Sequence, residues 1–309
     1  MRGRVHLADG RRIEYREFGD AAGLPAIYLH GTPSSASEGR WLDAPSRAAG
    51  VRIVSLDRPG YLGSDARVPA SPLGVADDVV AVADALALDR FAVVGFSGGA
   101  GYAFATGYAA PGRITVVHVG GGLVSLAGPA GDAMPRLRRL AFVVMARAPL
   151  VSRPLLGGGF RLFRRAIEKR LGSPVEAAEW FFDGPARGAQ VEAVARYIHS
   201  TPPDDLRQDL SDHARATERT QAILDDIVSY ASPCPFELGQ VDVPVELWHG
   251  DDDPAVPVAF AERAAAELPR ATLHVFPGEG HFVFHSHGAE IAASIARHGA
   301  LARPEVVRC

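Results

Sequence analysis

The sequence predicts a doubly wound α/β fold, a mostly parallel sheet whose strands alternate with helices, interrupted once by an all-helical insertion. Three observations carry this. Short apolar runs recur at residues 26–29, 51–56, 91–96 and 114–119, each followed by a glycine-bearing turn, the pattern of strands buried on both faces of a parallel sheet. Helical stretches separate these runs, and strand–helix alternation builds a doubly wound sheet. Over residues 123–237 the strand pattern stops, and it returns at 243–248 and 271–276.

In chain order, runs 5–7 and 12–18 flank Asp9-Gly10, a two-residue hairpin signal. Residues 72–88 place Val75, Val79, Val82 and Leu86 on one helical face. Residues 98–110 are rich in Gly and Ala, which lets a helix lie close against a sheet. In the insertion, Phe160, Phe163, Ile167 and Leu171 recur at helical spacing, with Arg161, Arg164, Arg165 and Lys169 mostly on the other face. Ser173-Pro174-Val175-Glu176 reads as a capping box with proline at the first helical position. It opens a helix carrying Trp180, Phe181 and Phe182; further helices are predicted over 189–199 and 212–231. Helices at 256–268 and 283–300 complete the second half. The domain reading is a core at 1–122, a helical cap at 123–237 and the rest of the core at 238–309.

Composition narrows the function. The 309 residues are 47% hydrophobic and 22% charged, with a net charge of −4, ordinary for a globular protein and unlike the basic footprint of a nucleic-acid binder. Lys169 is the only lysine. The two cysteines, Cys234 and Cys309, form no disulfide framework and fit a reducing compartment; whether they pair stays open. Residues 1–15 are charged throughout and lack a secretory pattern. The chain has no run of eighteen apolar residues. The expectation is a cytoplasmic protein with a small-molecule substrate, no nucleic-acid or membrane partner, and an open oligomeric state.

Chemistry concentrates in loops after strands. Gly95-Phe96-Ser97-Gly98-Gly99 matches G-x-S-x-G between a buried strand and a small-residue helix, where a tight turn would expose the serine. His30-Gly31-Thr32-Pro33 follows the third strand, and in this architecture the backbone N–H groups of Thr32 and Gly98 would form an oxyanion hole. His30 itself reads as structural. Gly250-Asp251-Asp252-Asp253-Pro254 places a carboxylate past a late strand; EF-hand spacing is missing. Gly278-Glu279-Gly280-His281 places a histidine past the last strand. His281, His285 and His287 have no matching ligand set for zinc, so the reading assigns neither metal nor cofactor.

With these residues, together with Asp57-Arg58-Pro59-Gly60-Tyr61 and Ser64, the chain resembles the α/β-hydrolase superfamily, specifically its cap-bearing serine hydrolases. The order Ser97, Asp253, His281 is that superfamily's nucleophile–acid–histidine order. The resemblance implies the α/β-hydrolase fold and a serine hydrolase acting on a carboxylic ester, lactone or thioester through an acyl-enzyme. It implies a structural role for the 57–64 loop, and Asp253 as the acid because it stands three residues past Gly250. Ser97 stands where haloalkane dehalogenases and epoxide hydrolases have aspartate, and the oxyanion loop is neither the proline-iminopeptidase nor the hormone-sensitive-lipase type. Trp180, Phe181 and Phe182 are candidate substrate contacts, although adjacent residues cannot share one helix face. Other chemistry on the same three residues (perhydrolase, C–C hydrolase, lyase, cofactor-free oxygenase) stays open, as does a receptor-like role with negligible turnover.

Overall fold

Eight strands form one sheet in the order β1-β2-β4-β3-β5-β6-β7-β8. The computed structural model describes residues 1–127, 129–183 and 186–301; Cys309 lies outside them, and Cys234 is free. β1 (Arg2–His6) and β2 (Arg12–Gly19) pair antiparallel, and β2 pairs antiparallel with β4 (Val51–Leu56). β3 (Leu24–Leu29), β4, β5 (Phe91–Phe96), β6 (Ile114–Gly120), β7 (Val245–Gly250) and β8 (Ala271–Phe276) run parallel. Every residue of β5, β6 and β7 is buried, which is why β5 and β6 read as mostly apolar runs, while β7 also buries Glu246 and His249. From β3 the chain steps outward to β4 and then returns to β5 on the other side. That reversal opens a crevice at the carboxyl ends of the strands, where ligands bind in open α/β sheets.

Helices α1 (Asp43–Ala48), α2 (Pro72–Ala85) and α3 (Ala100–Ala109) belong to the first half. The insertion between β6 and β7 holds α4 (Arg136–Arg147), α5 (Pro149–Glu168), α6 (Pro174–Phe182), α7 (Ala189–Ser200), α8 (Pro203–Ala216) and α9 (Thr220–Ala231), with no strand among its described residues. Then come α10 (Ala259–Glu267), α11 (Val283–Ser286) and α12 (Gly288–Leu301). One buried cluster joins α2, α3 and α10 to the sheet. A second runs from Ala26, Val94 and α12 up into the insertion through Ile167, Phe182, Ile198 and Leu210, so the insertion shares the core's apolar packing. Among the described residues, no single helix is long and apolar enough to cross a membrane.

The structure departs from the sequence reading at four local points. The first hairpin is wider than two residues: Leu7 donates to the Arg11 carbonyl (2.8 Å) and Gly10 (φ +84°) donates to Leu7 (2.9 Å). The capping box at Ser173 does not form, because its side chain makes no cap hydrogen bond. The helix expected over 212–231 is two, α8 and α9. Thr217 ends the first by donating its hydroxyl to the Ala214 carbonyl at 2.6 Å, a local bond that competes with helix continuation. The final helix breaks at His287, whose Nε2 lies 3.0 Å from Glu279 while Ser286 Oγ donates to the same carboxylate at 2.7 Å.

Candidate active site

β5 ends at Phe96, and the chain turns at once through Ser97–Gly99 into α3. Ser97 holds φ +50°, left-handed backbone that costs a non-glycine residue on the order of 1–3 kcal/mol and persists only where its surroundings enforce it. A Cβ on Gly98 would collide with the Tyr230 hydroxyl and the Thr32 side chain. Glycine there allows the turn to close against the Thr32 loop.

Past β7, the Asp253 side chain is buried and its Oδ1 accepts from the N–H groups of Ala255 (2.7 Å) and Val256 (3.0 Å). Its Oδ2 lies 2.7 Å from His281 Nδ1 and 3.4 Å from His249 Nε2. Burial pushes the Asp253 carboxyl up, but the charges and hydrogen bonds of His281 and His249 outweigh it and hold the group well below the usual carboxylate range. An ionised Asp253 accepts a hydrogen bond from the Nδ1–H of His281 and leaves Nε2 as the imidazole's free lone pair. Gly121, at φ +54°, faces this ring, and a Cβ there would stand 2.9 Å from Nδ1. Asp251 instead accepts from the Gly278 N–H at 2.6 Å, and Asp252 is exposed.

Ser97, His281 and Thr32 border one cavity of about 1010 Å³, and Ser97 and Thr32 also border a second of about 620 Å³. The serine therefore stands between two largely apolar spaces. Phe96, Trp41 and Phe282 wall the larger one from the core side, and Met145, Leu156, Phe160 and Phe163 from the insertion.

The profile of the Alpha/beta hydrolase family matches residues 26–294, a span that includes all of these residues. The chain belongs to the alpha/beta hydrolase family. It is 28% identical to a non-heme chloroperoxidase of Streptomyces lividans over 299 residues, 92% of this chain and 95% of that protein. It is 27% identical to a 2-hydroxy-6-oxononadienedioate/2-hydroxy-6-oxononatrienedioate hydrolase of Pseudomonas putida, over 89% of this chain and 87% of that one. An esterase from Exiguobacterium antarcticum shares the fold with a TM-score of 0.64 at 18% identity, covering 97% of this chain and 100% of its own.

Within this alpha/beta hydrolase, the three candidate aromatics part company. Trp180 and Phe181 border the larger cavity. Phe182 does not: it is buried against Trp41, Phe282 and Tyr197 and belongs to the packing between insertion and core. The three histidines considered for zinc also diverge. His281 meets Asp253 and His287 meets Glu279, while His285 sits among Trp41, Phe182 and Tyr197. Burial pushes His285 down to about 3.

Several residues that shape the site were not singled out from sequence. The side chain of Thr32, whose expected role was through its backbone N–H, belongs to a buried network. Its hydroxyl lies 2.5 Å from Asp226 and 2.7 Å from Tyr230 and accepts from Arg58 at 2.8 Å. Asp226, on α9, also receives Arg58 through both terminal nitrogens (2.7 and 2.8 Å), Tyr61 (2.6 Å) and Tyr102 (2.5 Å). Burial pushes the Asp226 carboxyl up, yet Arg58 and these donors hold it below its ordinary range. This pair ties the insertion to the Thr32 loop. His30 is structural as expected, with Nδ1 2.7 Å from the Gly31 carbonyl and Nε2 accepting from the Arg58 N–H at 3.2 Å.

Glu38 borders the larger cavity although it is buried. Its carboxylate accepts from the Gly31 N–H (2.9 Å) and Tyr28 hydroxyl (3.0 Å). Burial outweighs these bonds and pushes it up to about 7. The same cavity includes His213, held down to about 4 by burial and so neutral at pH 7.

Proposed function

We propose that the protein is a serine hydrolase that cleaves a carboxylic ester, lactone or thioester of a small, largely apolar substrate, with the insertion as its substrate-selecting cap. The observation that carries this reading is Ser97, held at positive φ between two apolar cavities whose shared border also includes the Thr32 loop. Ser97 Oγ attacks the carbonyl while His281 Nε2 accepts its proton. Asp253 keeps that proton-accepting tautomer in place and offsets the imidazolium charge. The N–H groups of Thr32 and Gly98 stabilise the oxyanion, preorganised by the elbow and by the Arg58–Asp226 network. His281 then protonates the leaving group, and water attacks the acyl-enzyme with His281 again as base. The two cavities suit a substrate with apolar groups on both sides of its carbonyl, and Trp180 and Phe181 bound the longer arm.

A second reading, hydrolysis of a 2-hydroxy-6-oxo acid, is favoured by the identity to the Pseudomonas putida relative. The lining argues against a dicarboxylate. Among the described residues bordering the larger cavity there is no arginine or lysine. In the smaller cavity, Arg138 is engaged by the carbonyls of Pro254 and Ala255 at 2.9 and 2.8 Å. The deciding experiment incubates the protein with p-nitrophenyl esters of rising acyl length and, separately, with a 2-hydroxy-6-oxo dienoate, followed by product mass spectrometry. The proposal expects ester turnover that falls by about 10⁴-fold in Ser97→Ala. Turnover of the dienoate alone, or full ester turnover in Ser97→Ala, contradicts it.

A further inference from the structure

Helices α4 and α5 leave apolar side chains in solvent in a pattern that the hydrolase reading does not use. On α4, Leu137, Leu140 and Val144 fall on one face and are exposed, Leu137 by 83%; the opposite face packs Phe142, Met145 and Ala146 against the insertion's core. On α5, Val151, Leu155 and Leu162 form a similar stripe, with Leu155 exposed by 70%, and Leu150 stands beside it at 92%. An amphipathic helix docked on a core should be polar outside. Apolar outer stripes on two consecutive helices mark an interaction surface.

Charge identifies the partner. From Arg136 to Arg170 the chain carries Arg136, Arg138, Arg139, Arg147 and Arg153 and then Arg161, Arg164, Arg165, Lys169 and Arg170, against a single acid, Glu168. Elsewhere acids dominate, since the chain has 36 acidic and 32 basic residues in all. Arg136, Arg147, Arg153, Arg161, Arg165 and Lys169 are exposed, and none has an ion pair among the described residues. Apolar stripes set among unpaired cations suit the surface of an anionic bilayer. A second copy of this chain fits poorly, because a two-fold contact would press the same cations together. Neither helix alone is long and apolar enough to span a bilayer. α4 has 12 residues, and α5 has 20 but carries Arg153, Arg161, Arg164 and Arg165; the two are bent by 119°.

Val144, Val151 and Leu155 belong to these stripes and also border the larger cavity beside Ser97. We propose that α4 and α5 dock the protein on anionic lipid surfaces, with the cavity mouth facing the bilayer, so that lipid-dissolved substrate enters without crossing water. The proposal departs from the composition-level expectation of no membrane partner. Because acids are in excess over the rest of the chain, attraction to such a surface acts chiefly through this cation-rich face and favours one orientation. Docking does not depend on the assigned chemistry, and its test uses no substrate.

The test is co-sedimentation of the full chain with sucrose-loaded vesicles of phosphatidylcholine alone, or with about 30% phosphatidylglycerol, at about 0.1 M and about 1 M NaCl; screening shortens from about 10 Å to about 3 Å over that range. Expected is at least tenfold stronger partitioning to the anionic vesicles, lost at high salt. Arg136→Gln/Arg161→Gln/Arg165→Gln should reduce it by about tenfold or more. Leu137→Ser/Leu140→Ser/Leu162→Ser should do likewise, with the wild-type thermal midpoint kept in both. Three results would each overturn the proposal: equal binding to both vesicle types, binding indifferent to both variants, or a solution dimer that the leucine variant dissociates.

Discussion

Replacing Asp226 by asparagine keeps the side chain's shape and removes its charge, leaving the Arg58 guanidinium buried without a counter-ion. Arg58 and Asp226 are both almost wholly buried, and two guanidinium nitrogens reach the carboxylate at 2.7 and 2.8 Å. Breaking such a pair from one side costs about 3–5 kcal/mol. At about 2–4 °C per kcal/mol for a chain of this size class, the thermal midpoint should fall by about 6–20 °C. Because Asp226 is held below its ordinary carboxylate range, its contribution is fully present at neutral pH and is lost only as pH falls through that depressed value. The assay is thermal and urea unfolding at pH 7.5 of Asp226→Asn, Arg58→Met and the double variant. The double variant should be less destabilised than the two single losses added together, by about 2 kcal/mol or more, because it leaves no orphaned charge. A midpoint shift under about 2 °C for Asp226→Asn, or strict additivity in the cycle, would refute the view that this pair clamps the insertion to the Thr32 loop.

Among the three aspartates past β7, only Asp253→Asn should cost about 10³- to 10⁴-fold in kcat, while Asp251→Asn and Asp252→Asn stay within about tenfold; steady-state ester kinetics on the three variants checks this. Glu38, with a pKa raised from 4.5 to about 7, keeps its proton in the folded state after the unfolded chain has lost its own. Stability should therefore fall by on the order of 3 kcal/mol as pH rises from about 4.5 to about 7. Glu38→Gln should remove that part of the slope in unfolding measured across pH, and an unchanged slope would show that Glu38 is not the group responsible. Phe182→Ala should destabilise by about 3–5 kcal/mol, whereas Trp180→Ala and Phe181→Ala should change the preferred acyl length. An ester profile altered by Phe182→Ala alone, with stability intact, would reverse those assignments.

Much of the sheet is legible in the sequence because the inner strands are buried on both faces: 51–56 and 91–96 coincide with β4 and β5, and 271–276 coincides with β8, a half-exposed edge strand whose apolar residues still mark it. The turn chemistry around Ser97, Asp253 and His281 was legible because glycines mark the bends. Helix interruptions were harder to read. Thr217 ends α8 through a hydroxyl-to-carbonyl bond, and Glu279 draws in Ser286 and His287 from eight residues or fewer away; neither interaction has a local periodic signature. The capping box at Ser173 failed for the complementary reason, since a motif supplies the atoms without dictating the backbone angle. Asp226 was hidden inside what read as one uniform helix. Its partners Arg58, Tyr61, Tyr102 and Thr32 lie 124–194 residues away, and no local pattern joins them. Glu38 carried no signal either, because a buried glutamate looks like a surface one until the fold encloses it. In α5, helical spacing identified the inward residues Phe160, Phe163 and Ile167, but Leu155 and Leu162 on the exposed side show that apolar residues there do not all face the core.

The central claim is that Ser97 is the nucleophile, activated by His281 and Asp253. The most direct measurement is labelling of the folded protein with a fluorophosphonate, followed by peptide mapping. The account predicts one adduct, on Ser97, absent in Ser97→Ala and at least about 10²-fold slower to form in His281→Ala. An adduct on another serine, or none on folded protein, would contradict it.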